Sequence, residues 1–383
     1  MIQALSEDPY GIFGLVISPT RELAVQIKEQ FEALGAPISL RTCLVIGGVN
    51  MIEQGSNMAK RPHIVVGTPG RIRHHLEGAD PPDFRKVKFL VLDEADRLLA
   101  AGFSAELEVI LSRMSISRQT LLFSATMTDS LVEVQKLTKK ESLRFDLISG
   151  IKVPSKLMQQ YLFLPSNVKI CYLFTLLMHF VKKDDEGSTS GDGRKRRLKR
   201  KYVEKTNLCL DVSMIIFVNT CKRCEEIKEI LIHLNIDCVC LHSIMSQHAR
   251  HQSLEKFKNL SCTILVATDV ASRGLDIPSV DIVINLDVPK VHTDYIHRVG
   301  RTARARRFGR SITFVTQHDV EIIHEIEDYV GSKMSKCDEI DENHVVQYLN
   351  KVSKAMRIAK LKMLEGGFED MANEKIKRRK KRV

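Results

Sequence analysis

The segment KFLVLDEADRLL (residues 88–99) begins as an apolar run and becomes acidic within a single residue. Its apolar part, Phe89–Leu92, predicts a strand buried on both faces, because parallel strands covered by helices have continuous hydrophobic sequences. Asp93, Glu94 and Asp96 follow at once. Carboxylates at the carboxyl end of such a strand are suited to hold Mg²⁺ on a nucleotide phosphate and to orient a water molecule. The segment therefore indicates a nucleotide site, which also requires a phosphate-binding loop.

Apolar runs of the same kind recur on both sides of this segment, with amphipathic helical patterns such as RELAVQIKEQFEALG between them. This alternation predicts two doubly wound parallel-sheet α/β domains in tandem. The predicted strands cover residues 11–18, 40–47, 63–67, 88–93 and 119–124 in the first half, and 212–219, 236–243, 261–268, 280–287 and 310–316 in the second.

Changes in composition predict the domain boundaries. We expect a first α/β domain at 1–150, a linker at 151–163 and a second α/β domain at 164–316. A polar and then basic stretch at 182–206 is typical of an exposed insertion in the second domain. Residues 317–383 are charged and predict a helical, strand-free extension that ends in a basic tail.

Composition bounds the class of protein. With 383 residues, of which 44% are hydrophobic and 27% charged, the chain is typical of a soluble protein of two domains. No run approaches the roughly 18–20 apolar residues of a membrane span, and the first residues do not form a signal peptide, so we expect no membrane partner. Nine cysteines scattered through apolar runs predict reduced thiols in an intracellular protein.

The positive charge is confined to two blocks, RKRRLKRK (194–201) and KIKRRKKR (375–382), with seven cations each. Together they exceed the net charge of +11, so the rest of the chain is slightly acidic. Such blocks are typical of solvated loops or tails that carry a nuclear address or bind RNA.

Polar motifs occur where the predicted strands end, which is where open α/β sheets bind their ligands. In the first half they are SPTREL, GG (47–48), GTPGR, DEAD and SAT (124–126). In the second half they are NT (219–220), ATDVASRGLDIP (267–278) and HRVGRTAR (297–304). One such motif would carry little weight, but the ordered set is highly specific.

With this set, the chain from Ile2 to about Thr316 resembles the DEAD-box ATP-dependent RNA helicases. The resemblance implies two RecA-like domains, ATP and Mg²⁺ as cofactors, and hydrolysis of ATP to close the domains on RNA and separate short duplexes. The sequences of two segments, LSEDPYGIF and VHTDYIHRVGRTARARRFGRSITFVTQHDV, are most similar to those of a nucleolar subgroup of the family that acts in small-subunit ribosome assembly. This similarity implies a monomeric protein that is located in the nucleus, and there in the nucleolus. It also implies that the protein acts on an rRNA precursor together with ribosome-assembly proteins.

The resemblance also implies roles for single residues. Asp93 would hold Mg²⁺ and Glu94 would polarise the attacking water. Arg301 and Arg304, which we expect three apart on one face of a helical turn, would be the arginine fingers, with both contacting ATP. Asp276 would bind the ribose, and the residues that couple hydrolysis to domain closure would be Asp96, Ser124, Thr126 and His297.

The implied RNA contacts are small, hydroxyl-bearing or basic residues at strand ends, suited to phosphates and 2′-hydroxyls rather than to base edges. In the first half they are Thr20, Arg21, Gly48, Thr68, Gly70 and Arg71, and in the second half Gln247, Arg250, Thr268 and Asp269. Taken alone, Thr68-Pro69-Gly70 is more typical of a turn and helix start.

Four cysteines have a loosely metal-like spacing: Cys221 and Cys224, then Cys238 and Cys240. Zinc is one interpretation. The first pair begins a predicted helix and the second lies in an apolar strand, so packed thiols are the favoured interpretation.

The phosphate-binding loop G-x-x-x-x-G-K-[ST] does not occur in these 383 residues. GSTSGDGRK (187–195) lacks the G-K-[ST] ending and a preceding strand. In the resembled family the glutamine motif, the loop and its strand precede PTREL, so we expect them upstream, with the first domain lacking its opening strand. Residues 1–383 should then hydrolyse no ATP. The alternative is a non-catalytic RNA-binding or assembly factor; a DNA helicase is less favoured because the motif set is that of RNA helicases.

Overall fold

The computed structural model describes residues 1–7, 10–100, 102–124, 143, 145, 153–154, 156–186, 212–269, 277–304 and 307–367. The fold divides the chain into two compact units. The first unit is formed mainly by Met1–Asp146 and the second mainly by Leu147–Arg273 and Ile277–Val383.

The first unit contains a five-stranded sheet in which every pair of neighbours is parallel, in the order β2-β3-β1-β4-β5. Its strands are β1 Gly14–Ile17, β2 Thr42–Val45, β3 Ile64–Gly67, β4 Phe89–Leu92 and β5 Gln119–Leu122. Its helices are α1 Ile2–Glu7, α2 Arg21–Gly35, α3 Met51–Ala59, α4 Pro69–Leu76, α5 Ala95–Ala100 and α6 Ser104–Ser112.

Helices cover both faces of this sheet, which explains the continuous apolar sequences of its strands. Along β1, Leu15 and Ile17 belong to one buried cluster, whereas Val16 between them belongs to another. In β4, Leu90 and Leu92 lie in the first cluster and Val91 in the second. The alternating side chains therefore fill two cores, one on each face.

The second unit contains a seven-stranded parallel sheet in the order β12-β6-β11-β10-β7-β9-β8. Its strands are β6 Leu157–Phe163, β7 Met214–Val218, β8 Val239–Leu241, β9 Ile264–Thr268, β10 Ile282–Asn285, β11 Gly309–Val315 and β12 Ser335–Lys336. Its helices are α7 Lys169–Glu186, α8 Cys221–His233, α9 Gln247–Lys258, α10 His292–Val299, α11 Val320–Val330 and α12 Glu342–Glu365. The prediction of two parallel α/β sheets is confirmed: every predicted strand is present, and all but β11 are shorter than predicted.

Two predictions about the edges of the second domain are wrong. The stretch predicted as a linker, 151–163, contains β6, which pairs along its whole length with β11. The extension predicted to be strand-free contains β12, which pairs with β6. Its long helix α12 places Val345, Val352 and Ala359 in the main core of the unit, so this helix completes the core.

The predicted insertion begins later than expected, because α7 continues to Glu186. Residues 187–211 and 368–383, which include both basic blocks, lie outside the described residues. None of the helices in the described part of the chain has the length and apolar content that a membrane crossing requires.

Candidate functional site

The carboxyl ends of four neighbouring strands meet at one edge of the first sheet. Ile17 is in register with Gly67 of β3 and with Leu92 of β4, and Val45 of β2 is also opposite Gly67. The loops that follow these strands therefore start side by side. They contain the SPTREL, GG, GTPGR and DEAD motifs.

Asp93 is the first residue after β4, and its backbone N–H donates to the carbonyl of Ile17 at 3.0 Å. Its carboxylate Oδ1 accepts a 3.0 Å hydrogen bond from the N–H of Glu94. Burial raises the pKa of Asp93, and the charge of nearby Asp96 raises it further against the hydrogen bond from Glu94. A divalent cation stabilises the charged form of a buried carboxylate that lies beside a second acid. These oxygen ligands fit Mg²⁺.

Glu94 has an unusual backbone conformation, with φ of +47°, which few non-glycine residues adopt. Ala95 donates to the carbonyl of Phe123 at 3.0 Å, so the turn is fixed against the end of β5. The carboxylate of Glu94 lies 3.6 Å from the guanidinium of Arg97. Its side chain is 21% exposed, and its Oε2 is buried.

Arg21 and the Gly47–Gly48 pair, which are separate motifs in the sequence, are in contact. A Cβ built on Gly47 would lie 2.8 Å from Nη2 of Arg21, and one built on Gly48 would lie 2.6 Å from Nη1. Gly48 also has φ of +88°, which favours glycine. The guanidinium therefore lies directly against a side-chain-free backbone at this edge. Thr20 is the N-cap of α2, and its hydroxyl accepts from the N–H of Leu23 at 3.4 Å.

Thr68 is the N-cap of α4, with Pro69 in the first turn, so this motif does form a helix start. The hydroxyl of Thr68 makes no capping hydrogen bond. A Cβ on Gly70 would meet nothing within 4 Å, so the N-terminus of α4 is open, and Arg71 follows it. Ser124 is exposed just after β5, and Thr126 lies outside the described residues.

In the second unit, Arg298 connects the ends of three neighbouring strands. Its Nε and Nη2 donate to the two carboxylate oxygens of Asp269 at 2.6 and 2.7 Å. It also donates to the carbonyl of Asp287 at 2.6 Å and to Oδ1 of Asn219 at 2.9 Å. The guanidinium lies 5.2 Å from the ring centroid of Phe217 and is 1% exposed.

Arg298 is not among the site residues predicted from the sequence. It is part of HRVGRTAR, where it cannot be distinguished by type from the neighbouring arginines. The helical period does indicate that Arg298 is buried. Arg298 and Val299 follow Tyr295 by three and four residues, so the three side chains share one face of the helix, and all are buried. An arginine on the apolar face of a helix requires a buried partner.

The other predicted RNA contacts of this unit have varied environments. Thr268 ends β9 and is buried, next to the partly buried Asp269. Gln247 begins α9, which is capped by Ser246, and Arg250 lies on the buried side of that helix. Thr268 and Asp269 lie at the end of a strand, as predicted, whereas Gln247 and Arg250 lie in the first turns of α9 and not at a strand end.

The expectation that Arg301 and Arg304 share a helical turn is wrong. Helix α10 ends at Val299, and Ala303 has φ of +56°. The carbonyl of Arg301 accepts from Val280 at 3.1 Å, a tertiary contact that turns the chain out of the helix. Arg301 is buried, whereas Arg304 is partly exposed and donates to the carbonyl of Gly300 at 2.6 Å.

Two further predicted residues complete the set. His297 lies in the last turn of α10 and is partly exposed. Asp276, the implied ribose contact, lies outside the described residues.

Cys221 and Cys224 begin a helix, as predicted, whereas of the second pair Cys240 lies in β8 and Cys238 directly precedes it. Cys224, Cys238 and Cys240 are buried, and Cys221 is partly exposed. The thiols of Cys224 and Cys238 donate to the backbone carbonyls of Val266 at 3.2 Å and Lys228 at 3.7 Å. These two thiols are packed against backbone and do not converge as metal ligands.

Comparisons with known proteins agree with this arrangement. The family model described as DEAD/DEAH box helicase matches residues 1–134, and that of the helicase conserved C-terminal domain matches residues 200–306. The chain is 43% identical to DEAD-box ATP-dependent RNA helicase 36 of Arabidopsis thaliana, over the whole chain and 72% of that protein. It is also 43% identical to the ATP-dependent RNA helicase dbp8 of Schizosaccharomyces pombe, over 99% of the chain and 80% of that protein.

A solved structure supports the RecA-like assignment of both sheets. Mss116p bound to single-stranded RNA and AMP-PNP superposes with a TM-score of 0.70 at 27% identity. The match covers 97% of this chain and 75% of Mss116p.

Proposed function

The chain belongs to the family of DEAD-box ATP-dependent RNA helicases, and on that premise we propose that its strand-end loops bind the backbone of RNA while Asp93 and Glu94 serve the hydrolysis of ATP. The observation that supports this most is the arrangement of the first sheet, in which four polar motifs start side by side at one edge.

The proposed roles in hydrolysis follow from the environment after β4. Asp93 would hold Mg²⁺, which when bound would neutralise charge on the phosphates of ATP. Burial already disfavours a lone charge on Asp93, so its carboxylate gains from a cation. Glu94 would accept a hydrogen bond from the attacking water and orient it. In the second unit, the arginines after α10, Arg301 and Arg304, would stabilise charge that develops on the transferred phosphate.

The proposed RNA contacts recognise the backbone. At Gly48 the absence of a side chain and the adjacent Arg21 allow a phosphate to approach both the backbone N–H groups and a guanidinium. The open N-terminus of α4 at Gly70 adds a partial positive charge. Thr68 and Thr268 would supply hydroxyls for phosphate or ribose oxygens. Such contacts read few base edges, so binding should depend little on sequence.

RNA binding is tested by fluorescence anisotropy with a labelled single-stranded RNA and a DNA of the same sequence. We expect the RNA to bind more tightly, because contacts to 2′-hydroxyls distinguish the two. Equal affinity for DNA would contradict the RNA assignment. An RNA with the same nucleotides in scrambled order should bind with the same affinity as the original RNA.

Hydrolysis is tested by RNA-stimulated phosphate release. Residues 1–383 contain no G-x-x-x-x-G-K-[ST] string, so we expect them alone to release phosphate no faster than their Asp93→Asn variant. In a form that also carries the phosphate-binding segment of the family, Glu94→Gln should abolish hydrolysis while RNA binding persists. Hydrolysis near the unsubstituted rate in that variant would exclude the role of Glu94.

The second candidate function is that of a non-catalytic RNA-binding or assembly factor, which would use the contacts at Arg21, Gly48 and Gly70 without hydrolysis. It predicts RNA binding that does not respond to ATP in any form of the protein. The helicase predicts that ATP strengthens RNA binding once the phosphate-binding segment is present.

For the RNA itself we propose an rRNA precursor in the nucleolus. The proposal rests on the resemblance of segments such as LSEDPYGIF to a ribosome-assembly subgroup and on the two basic blocks. Crosslinking of a tagged protein to RNA, followed by sequencing, should enrich rRNA precursor sequences. Enrichment of messenger RNA alone would contradict it.

A further inference from the structure

Helix α8 and strand β8 bring three metal-binding side chains together in the second unit. Oε2 of Glu225 lies 3.0 Å from Nε2 of His242 and 3.2 Å from Sγ of Cys240. All three ligand atoms are within 4.8 Å of one another. Cys240 and His242 are 3% and 2% exposed. We propose that Glu225, Cys240 and His242 form a binding site for a thiophilic divalent metal ion of the Zn²⁺ class.

The donor set fits this class of ion. Thiolate, imidazole and carboxylate are the ligands of zinc sites with three protein ligands, in which the fourth position is left to another donor. Typical bond lengths place nitrogen and oxygen ligands of a tetrahedral ion about 3.3 Å apart, and sulfur and oxygen ligands about 3.6 Å apart. The observed separations of 3.0 and 3.2 Å differ from these by a few tenths of an ångström. Small side-chain movements would therefore admit the ion.

The site is not the one that the cysteine spacing suggests. Cys224 and Cys238 donate their thiols to backbone carbonyls. Only Cys240 of the spaced cysteines belongs to the group, and its other members come from the helix and from the residue after β8. Met245 adds a thioether sulfur 3.8 Å from Sγ of Cys240.

Neighbouring groups orient the proposed ligands. Lys228 donates to Oε1 of Glu225 at 2.5 Å, which leaves Oε2 directed at Cys240 and His242. Such outer contacts fix the orientation of metal ligands. Cys221 lies beside the group, with its Sγ 3.3 Å from the hydroxyl of Ser243.

A metal ion at this site would compete with the proton on His242. Burial lowers the pKa of His242, but hydrogen bonds with Cys221, Cys240 and Glu225 outweigh it and raise the pKa to about 10. The ion must displace that proton, which reduces its net affinity at neutral pH.

The test uses the whole chain, freed of metal with a chelator and titrated with Co²⁺ as a spectroscopic probe. We expect one equivalent to produce a sulfur-to-cobalt charge-transfer band and the visible bands of tetrahedral Co²⁺, and Zn²⁺ to abolish both. Cys240→Ser should remove the charge-transfer band. His242→Gln should retain that band but weaken binding by roughly tenfold or more.

Cys43→Ser is the matched control, because Cys43 is also a buried cysteine but lies in the first unit. It should bind Co²⁺ like the unsubstituted chain. Far-UV circular dichroism checks that each variant is folded. No charge-transfer band in the unsubstituted chain, or the same band in folded Cys240→Ser, would overturn the proposal.

Discussion

Replacing Arg298 with alanine should destabilise the second unit by about 4 kcal/mol, because it leaves a carboxylate without its partner. Arg298 is 1% exposed and its two-pronged pair with Asp269 has donor–acceptor distances of 2.6 and 2.7 Å. Removing one member of a buried ion pair costs about 3–5 kcal/mol, and the acceptors on Asn219 and Asp287 would each lose a hydrogen bond of about 1 kcal/mol. Asp269 is 18% exposed, so water relieves part of this cost.

The conservative variant separates charge from geometry. Arg298→Lys retains the charge but cannot donate to both carboxylate oxygens and to Asn219 at once, so we expect about half of the loss. Combining Asp269→Asn with Arg298→Ala should cost less than the sum of the two single changes. A coupling energy of about 2 kcal/mol would be typical of residues in one network.

Urea denaturation followed by far-UV circular dichroism measures the loss, and hydrogen exchange of β7, β9 and β10 assigns it to the second unit. Arg85→Ala is the matched control, because Arg85 makes a similar two-pronged pair with Asp83 but is 82% exposed. The control should leave the midpoint almost unchanged. If Arg298→Ala had as small an effect as the control, the idea of a buried connection between strand ends would be wrong.

Three other experiments test separate features. Gly48→Ala should weaken RNA binding about tenfold in anisotropy, which corresponds to about 1.4 kcal/mol, because the added methyl group would displace the guanidinium of Arg21 from the proposed phosphate contact. Gly55→Ala in α3, where a Cβ would meet nothing within 4 Å, should leave RNA binding unchanged. Cys43, whose pKa burial raises to about 11, should resist alkylation by iodoacetamide at pH 8 until urea unfolds the first unit, as mass spectrometry would show. Deleting residues 375–383 should make RNA binding less dependent on salt: the slope of log K against log salt concentration should fall in magnitude by about 0.7 for each RNA phosphate that the tail neutralises. An unchanged slope would show that the tail does not contact RNA.

The strands were predictable where they lie between two layers of helices. Leu15, Val16 and Ile17 are all buried because alternate side chains enter different cores, and this burial is visible in the sequence as an unbroken apolar run. Strand β6 escaped prediction because its middle residues, Gln159 and Gln160, are polar. Gln159 accepts from the hydroxyl of Tyr295 at 2.8 Å and Gln160 from Nε of Arg310 at 2.6 Å. The partners of the two glutamines lie 136 and 150 residues away along the chain, so the local sequence pattern contains no sign of them.

The end of α10 shows the same limit. The spacing of Arg301 and Arg304 predicts a helical turn that contains both, but the helix ends at Val299. Thr302 donates to the carbonyl of Val280, and this hydrogen bond between distant segments outweighs the local tendency to continue. Sequence thus predicts which residue types reach the site more securely than how they are oriented there.

Asp269 illustrates how the structure refines a role that a motif implies. A carboxylate repels phosphate, and both of its oxygens accept from Arg298. Its immediate task in the fold is therefore to fix Arg298 at the ends of β7, β9 and β10. Any contact with RNA at this point is better made by the hydroxyl of Thr268 or by backbone N–H groups. Asp269→Asn should therefore reduce RNA affinity only as far as it loosens the strand ends. Its loss of RNA affinity should then be similar to the loss of RNA affinity in Arg298→Lys.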